Sequence, residues 1–74
     1  MAEYRLVLLG VMCPEPVQET ERHLLRLAPG DRLVVEVDHS CTVRLLRERL
    51  RRLPCRFRVE EVDWGVWRFT IERR

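Results

Sequence analysis

The amino-acid sequence predicts an α/β protein: a two-layer sandwich of the order β-α-β-α-β-β, with two helices on one face of a four-stranded mixed sheet. Short apolar runs of strand length alternate with segments of helical periodicity, which is typical of layered folds. Each of the first two connections contains a helix, so the strands that it joins can run parallel with a right-handed crossover. Only a tight turn separates the last two strands, which predicts a hairpin. The chain has 74 residues, and we expect one domain over residues 1–74.

The first strand and the first helix are predicted from an apolar run and a pair of prolines. Residues 4–9 are mostly apolar and precede a glycine, which predicts a buried strand. Pro14 and Pro16 favour the start of a helix, and Pro29-Gly30 favours its end. The expected apolar face of this helix consists of Val17, Leu24, Leu25, Leu27 and Ala28.

The second strand and the second helix follow the same plan. Residues 32–37 alternate in polarity over most of their length, as strand residues with one buried face do. Residues 38–40 predict a polar turn, with Ser40 as the N-cap of a helix over residues 41–53. Pro54 is expected to end this helix, because the residue before a proline disfavours helical geometry. The expected buried positions of the helix are Val43, Leu46, Leu50 and Leu53.

The last part of the chain predicts a β-hairpin. Residues 56–62 and 66–73 have strand character, and the turn over residues 63–65 contains a glycine that can adopt positive φ. We expect Trp64 in this turn to pack over the hairpin, with a contact to a partner protein as the alternative. The inward-facing residues of the final strand are expected to be Trp67, Phe69 and Ile71.

Charge and hydropathy exclude several classes of function. The chain has 14 Lys and Arg against 12 Asp and Glu, a net charge of +2, which is too balanced for a typical nucleic-acid-binding protein. No apolar run approaches the roughly 20 residues that span a bilayer, and the N-terminus lacks the apolar stretch of a signal peptide. We therefore expect a soluble cytoplasmic protein without membrane contact or direct, stable nucleic-acid binding. An arginine-rich run over residues 44–52 is interpreted as a solvated face, with tRNA phosphates or an acidic partner as alternatives.

The segment Gly10-Val11-Met12-Cys13-Pro14-Glu15-Pro16 carries the chemistry that the sequence suggests most strongly. Gly10 lets the chain leave the strand, Pro14 suits the first helical position, and Cys13 is then the expected N-cap. The start of a helix stabilises a thiolate, so the pKa of Cys13 is expected to fall. Because the two prolines lack an N–H, the Glu15 N–H is the expected donor to the sulfur, although the Glu15 carboxylate opposes the thiolate.

The surroundings of Cys13 in the sequence suit a carrier thiol. Neither a histidine nor a second cysteine is adjacent to it, whereas a hydrolytic nucleophile needs a base. The prolines stiffen the turn, so the thiol can be presented to the active site of another protein. The alternative interpretation is that Cys13 is only a small residue at a helix start.

This segment resembles the G-x-x-C-P-x-P signature of TusA/SirA/YedF-type sulfur carriers. The resemblance extends over nearly the whole chain, because the length, the order of elements, Pro29-Gly30 before the second strand and Asp38 after it also match. Two departures stand out: Val7 and Leu9 replace an Asp and an Arg found in many members, and Pro54-Cys55 replaces a Gly-His pair. These changes leave the identity of the partners open.

The resemblance implies a sulfurtransferase that acts as a stoichiometric carrier. Cys13 would accept sulfane sulfur as a persulfide from a donor protein such as a cysteine desulfurase and would pass it to an acceptor sulfur-relay protein. Gly10, Pro14, Glu15 and Pro16 would support it, and no cofactor or metal is implied. The known outlets of the family are tRNA thiolation, molybdenum-cofactor maturation and dissimilatory sulfur oxidation. A regulatory or adaptor module of the same fold, without sulfur chemistry, is the alternative.

Two further cysteines are present, and no CxxC pair indicates a zinc ribbon or a thioredoxin-type site. Cys41 is interpreted as a semi-buried helix residue, with resolution of a Cys13 persulfide or a metal site as alternatives. Cys55 is interpreted as a core or edge residue. His39 and the three cysteines could supply four zinc ligands, but their spacing matches no common pattern.

Overall fold

The computed structural model describes all 74 residues and confirms the predicted order of elements. The elements are β1 (Glu3–Leu8), α1 (Glu15–Leu25), β2 (Arg32–Val37), α2 (Ser40–Leu50), β3 (Cys55–Asp63) and β4 (Val66–Arg73). β2 and β4 have the predicted bounds, and the other elements differ from prediction by a few residues at their ends. Neither helix is both long and apolar enough to cross a membrane.

The four strands form one mixed sheet in the order β1-β2-β4-β3. β1 pairs with β2 in parallel, whereas β4 runs antiparallel to both of its neighbours, β2 and β3. β3 therefore runs in the same direction as β2, and α2 crosses over β4 to connect them. This arrangement confirms the predicted mixed sheet and leaves β1 and β3 as its edge strands.

The core lies between the helices and one face of the sheet. Alternate residues of β2, namely Leu33, Val35 and Val37, are fully buried there, which confirms the predicted alternation. Phe69 and Ile71 of β4 lie opposite Val35 and Leu33 and are also fully buried. Burial of each such side chain stabilises the fold by about 1.5–3 kcal/mol. The helices complete the core with Val17, Leu24, Leu46 and Leu50, so both helices cover the same face.

The prediction that the first strand is buried was wrong. β1 is an edge strand, and Tyr4, Val7 and Leu9 are 48%, 62% and 44% exposed. Only Leu6 and Leu8 pack against the core. A continuous apolar run predicts burial on both faces, but β1 has a strand on one side only, and helices cover only one face of the sheet.

The helix ends differ from the prediction in ways that change which residues are buried. α1 ends at Leu25, which is 59% exposed, and Ala28 lies beyond the helix and is exposed, so neither belongs to the apolar face. α2 begins at Ser40 with His39 as the N-cap, one residue earlier than expected. It ends at Leu50, and Leu53 packs against the core from the following turn.

The hairpin is formed as predicted, but its tip is open to solvent. Gly65 adopts φ of +65° in the turn between β3 and β4. Every residue from Glu60 to Trp64 is exposed, so the packing expected for the Trp64 ring over the hairpin was wrong. Trp64 is 96% exposed, whereas Trp67, two residues into β4, packs against the core.

Adjacent leucines of α1 provide a matched test of this core. We expect Leu24→Ala to lower the free energy of unfolding by about 2–5 kcal/mol, because Leu24 is fully buried and its truncation leaves a cavity. Leu25→Ala should change it by no more than about 0.5 kcal/mol, because that side chain is largely exposed. Urea unfolding followed by circular dichroism measures both. An equal decrease in the free energy of unfolding for the two variants would contradict the position of α1 on the sheet.

Candidate functional site

The segment around Cys13 and the start of α2 meet at one edge of the sheet. β1 and β2 are parallel, with Leu8 opposite Val37, so the loops that follow them leave the sheet at the same edge. The Gly10 N–H donates a hydrogen bond of 2.8 Å to Asp38 Oδ2 and ties the two loops together. Gly10 has φ of +76°, which confirms the conformational role expected for this glycine.

Asp38 also contacts the residue that precedes α2. Its Oδ1 lies 2.8 Å from His39 Nδ1, while Oδ2 accepts the Gly10 N–H. The carboxylate therefore links the loop after β1 to the loop after β2 and to the N-cap of α2. The sequence predicted Asp38 as part of a polar turn and as a family feature, but its bridging role depends on both loops being in place.

The start of α1 differs from the prediction by one residue. Pro14 is the N-cap, and Pro16 lies within the first turn, so Cys13 precedes the cap. Pro16 is buried, and its carbonyl accepts a 2.7 Å hydrogen bond from the buried Thr20 hydroxyl, which fixes this turn to the helix. Glu15, the first helical residue, is exposed.

The N–H groups of the first turn of α1 are not available to the sulfur. The Glu15 N–H donates to the Met12 carbonyl at 3.2 Å, so the prediction that it serves Cys13 was wrong. The Val17 N–H donates to the Pro14 carbonyl at 3.0 Å, and the two prolines have no N–H. The stabilisation that a helix start usually offers a thiolate is therefore absent in direct form at α1.

The surroundings of the Cys13 sulfur raise its pKa rather than lowering it. Partial burial is the largest cause, because it disfavours the charged thiolate, and the Cys41 thiol acts in the same direction through charge and hydrogen bonding. The Thr42 side chain opposes both effects and lowers the pKa of Cys13. The predicted fall of the Cys13 pKa was wrong, because it considered only α1 and not the side chains of α2.

Thr42 is the second polar group of the site, and sequence reasoning missed it. The residue is fully buried, and Oγ1 has no hydrogen-bond partner within the protein. The Thr42 side chain is nevertheless close enough to the Cys13 sulfur to lower its pKa. A buried hydroxyl without a partner costs free energy, so Thr42 is a polar group that the fold leaves unsatisfied beside Cys13.

The start of α2 has the free donors that α1 lacks. No side chain caps the helix, and its first turn has no acidic residue. The Val43 N–H bonds to the His39 carbonyl at 3.1 Å, whereas the N–H groups of residues 40–42 have no acceptor within the protein. Such an open helix start favours negative charge nearby. The unpaired N–H donors near Cys13 therefore belong to α2 and not to α1.

The other two cysteines have different surroundings. Cys41 lies at the second position of α2 and is exposed, so the expectation of a semi-buried residue was wrong. Its thiol interacts with that of Cys13. Cys55 is buried in the core at the edge strand β3, as expected, and its thiol lies 3.5 Å from the Leu50 carbonyl. Burial raises the pKa of Cys55.

The side chains that could bind a metal are dispersed. No group of three or more His, Cys, Asp and Glu side chains is placed to hold an ion. His39 pairs with Asp38, and His23 contacts the Glu19 carbonyl at 2.9 Å. The possible zinc site of His39 and the three cysteines is therefore not assembled.

The largest groove, of about 530 Å³, follows the exposed side of α2 and begins at Ser40. Three arginines without an ion pair, Arg44, Arg47 and Arg51, line it together with Trp67. Cys13 does not line the groove, but Cys41 follows Ser40 directly in the chain. The groove therefore carries three arginines and one glutamate, Glu48, along the length of α2, and its charge is net positive.

The comparisons with known proteins agree with one another. The family model described as Sulfurtransferase TusA matches residues 4–73. A protein of Thermotoga maritima, provisionally named a sulfur carrier protein, is 30% identical over 97% of this chain and 98% of its own length. The crystal structure of a SirA-like protein from Desulfitobacterium hafniense superposes with a TM-score of 0.85 at 27% identity, over 93% of this chain and 95% of that one.

The opposing effects of Cys41 and Thr42 on Cys13 give a pH-dependent prediction. Cys41→Ala should lower the pKa of Cys13, because it removes a neighbouring thiol that disfavours the thiolate. Thr42→Val should raise the pKa of Cys13 above its wild-type value, because it removes a hydroxyl that favours the thiolate. The pH dependence of Cys13 alkylation by iodoacetamide, read by peptide mass spectrometry, measures both.

The control for this measurement is Cys55→Ala, which should leave the Cys13 profile unchanged because Cys55 does not interact with Cys13. Profiles that are identical in all variants would contradict the contact between Cys13 and the start of α2.

Proposed function

The chain belongs to the TusA sulfurtransferase family, and from this premise we propose that it carries sulfane sulfur as a persulfide on Cys13 and passes it to an acceptor protein. Membership of the family supports a sulfur-carrier role, and the assignment of the sulfur to Cys13 is our own. We further propose that residues 1–74 act as one domain. The main support for this proposal is the position of Cys13 in its glycine-proline motif. The motif follows the carboxyl end of β1 and lies beside the buried Thr42 hydroxyl, which has no hydrogen-bond partner.

Loading would be a thiol–persulfide exchange. The Cys13 thiolate attacks the terminal sulfur of the donor persulfide, a new S–S bond forms, and the donor S–S bond breaks. The electron pair of the broken bond leaves on the donor cysteine, which becomes a thiolate. No oxidant or reductant is consumed, because the sulfane sulfur moves at constant oxidation level. Gly10, Pro14, Glu15 and Pro16 hold the loop rather than taking part in the exchange.

The chemistry of the site supports a carrier rather than a hydrolase. No hydrogen bond joins either histidine to the Cys13 thiol: His39 Nδ1 lies against Asp38 and His23 Nδ1 against the Glu19 carbonyl, so the thiol has no paired general base. The raised pKa keeps the resting thiol mainly protonated near neutral pH, which limits unwanted reactions.

We propose two protein partners, a persulfide donor such as a cysteine desulfurase and an acceptor sulfur-relay protein, in the cytoplasm. The unpaired arginines of the groove suit an acidic surface on such a partner and would mainly raise the association rate. Trp64 at the hairpin tip is exposed enough to be a second contact. Thiolation of tRNA is one possible destination of the sulfur, reached through the acceptor and not through direct binding of tRNA.

An adaptor module without sulfur chemistry is the second candidate function. The observation in its favour is the exposed Trp64 together with the arginine-lined groove, since both are docking features that need no reactive thiol.

A mass measurement tests the carrier function directly. A chain with Cys41→Ser and Cys55→Ser keeps Cys13 as its only cysteine, and it is incubated with a cysteine desulfurase and cysteine. We expect a reductant-labile gain of about 32 Da, one sulfur atom, in the intact mass. The matched control has Cys13→Ser in addition and should gain nothing. An equal gain in the control, or no gain with several donors, would favour the adaptor function.

A further inference from the structure

We propose that Cys41 is a resolving cysteine, which attacks the sulfur-loaded Cys13, releases the carried sulfur as hydrosulfide and leaves a Cys13–Cys41 disulfide. This inference rests on the proposed function, because it needs a persulfide on Cys13. It gives the protein a second outlet for its sulfur, release as hydrosulfide, beside transfer to an acceptor protein.

The fold brings the two thiols together from different elements. Cys13 lies in the loop after β1, and Cys41 lies in the first turn of α2, which follows β2. The parallel register of β1 and β2 and the 2.8 Å bond from Gly10 to Asp38 hold these segments side by side. Cys41 is close enough to Cys13 to raise its pKa, and both residues are free thiols. Because the two segments are tied together within one chain, attack of one thiol on the other needs no encounter with a second molecule.

The step balances without an external oxidant. The Cys41 thiolate attacks Cys13 Sγ, and an S–S bond forms between the two cysteines. The bond between Cys13 Sγ and the terminal sulfur breaks, and its electron pair and the persulfide proton leave as HS⁻. The terminal sulfur is reduced to the sulfide level while the Cys41 sulfur is oxidised to the disulfide level. A dithiol reductant would return the protein to its starting state.

The start of α2 suits this step. The N–H groups of residues 40–42 have no acceptor, and no acidic residue lies in the first turn, so negative charge on the attacking and leaving sulfurs is favoured there. The buried Thr42 hydroxyl interacts with Cys13 Sγ and would fix its position during attack, which makes Thr42 a positioning residue.

Packing does not explain Cys41, whereas it does explain Cys55. Cys41 is exposed and is not a member of the hydrophobic core. Cys55 is a member of the core, and its thiol is directed at the Leu50 carbonyl. Cys55 is therefore the matched control for Cys41: a cysteine of the same chain that is not placed to reach the loaded sulfur.

The experiment follows the fate of the loaded sulfur in wild type, Cys41→Ser and Cys55→Ser. Each protein is loaded with a cysteine desulfurase and cysteine, separated from donor and small molecules, and followed by non-reducing intact mass and by sulfide trapping with monobromobimane. Wild type and Cys55→Ser should lose the adduct of about 32 Da, release about one equivalent of sulfide and end about 2 Da below the reduced mass. Peptide mapping should then show Cys13 linked to Cys41. In Cys41→Ser the adduct should persist about tenfold longer or more.

Three outcomes would overturn the inference. If all variants load but hold the adduct equally long without a Cys13–Cys41 link, Cys41 does not resolve the persulfide and the carrier function stands. If the adduct moves intact to Cys41, the pair is a relay and releases no sulfide. If no variant loads, including the chain with Cys13 as its only cysteine, the proposed function fails and this inference fails with it.

Discussion

The parallel pairing of β1 with β2 is the constraint on which the site depends. Two loops leave the sheet at the same edge because Leu8 lies opposite Val37, and Asp38 fastens one loop to the other through the Gly10 N–H. Without this register, the segment that contains Cys13 and the start of α2 would not lie side by side. The exposure of β1 follows from the same pairing, because β2 occupies only one of its two edges.

The two helix starts have divided their roles. At α1 the prolines and two loop hydrogen bonds consume the donors of the first turn, so this end provides rigidity instead of charge stabilisation. At α2 the corresponding donors are unpaired, and the side chains of Cys41 and Thr42 interact with the sulfur. Cys13 is positioned by α1, and the start of α2 favours negative charge beside it. The thiol can therefore stay protonated in the free protein, while a thiolate formed during the reaction is stabilised by α2.

The remaining surface is consistent with a protein that works by docking. A core of modest size, formed by two helices on one sheet face, leaves the other face, the edge strand β1 and the hairpin tip open. The arginine-lined groove extends along α2 from Ser40, the residue before Cys41, to Arg51 at the other end of the helix. The positive charge therefore lies along the exposed side of α2, whereas Cys41 lies at the start of the helix and neither Cys41 nor Cys13 lines the groove.

The order of elements, the bounds of β2 and β4, the inward residues Phe69 and Ile71, and the motif around Cys13 could all be predicted from the amino-acid sequence. These features depend on periodicity, turn residues and prolines, which act between neighbours in the chain. The exposure of β1, the effects of Thr42 and Cys41 on Cys13, and the raised pKa of Cys13 became apparent in the folded structure. Each of these depends on which distant segment lies beside a residue. The physical reason is that burial and charge act through space, so they are fixed by strand register and helix position rather than by local sequence.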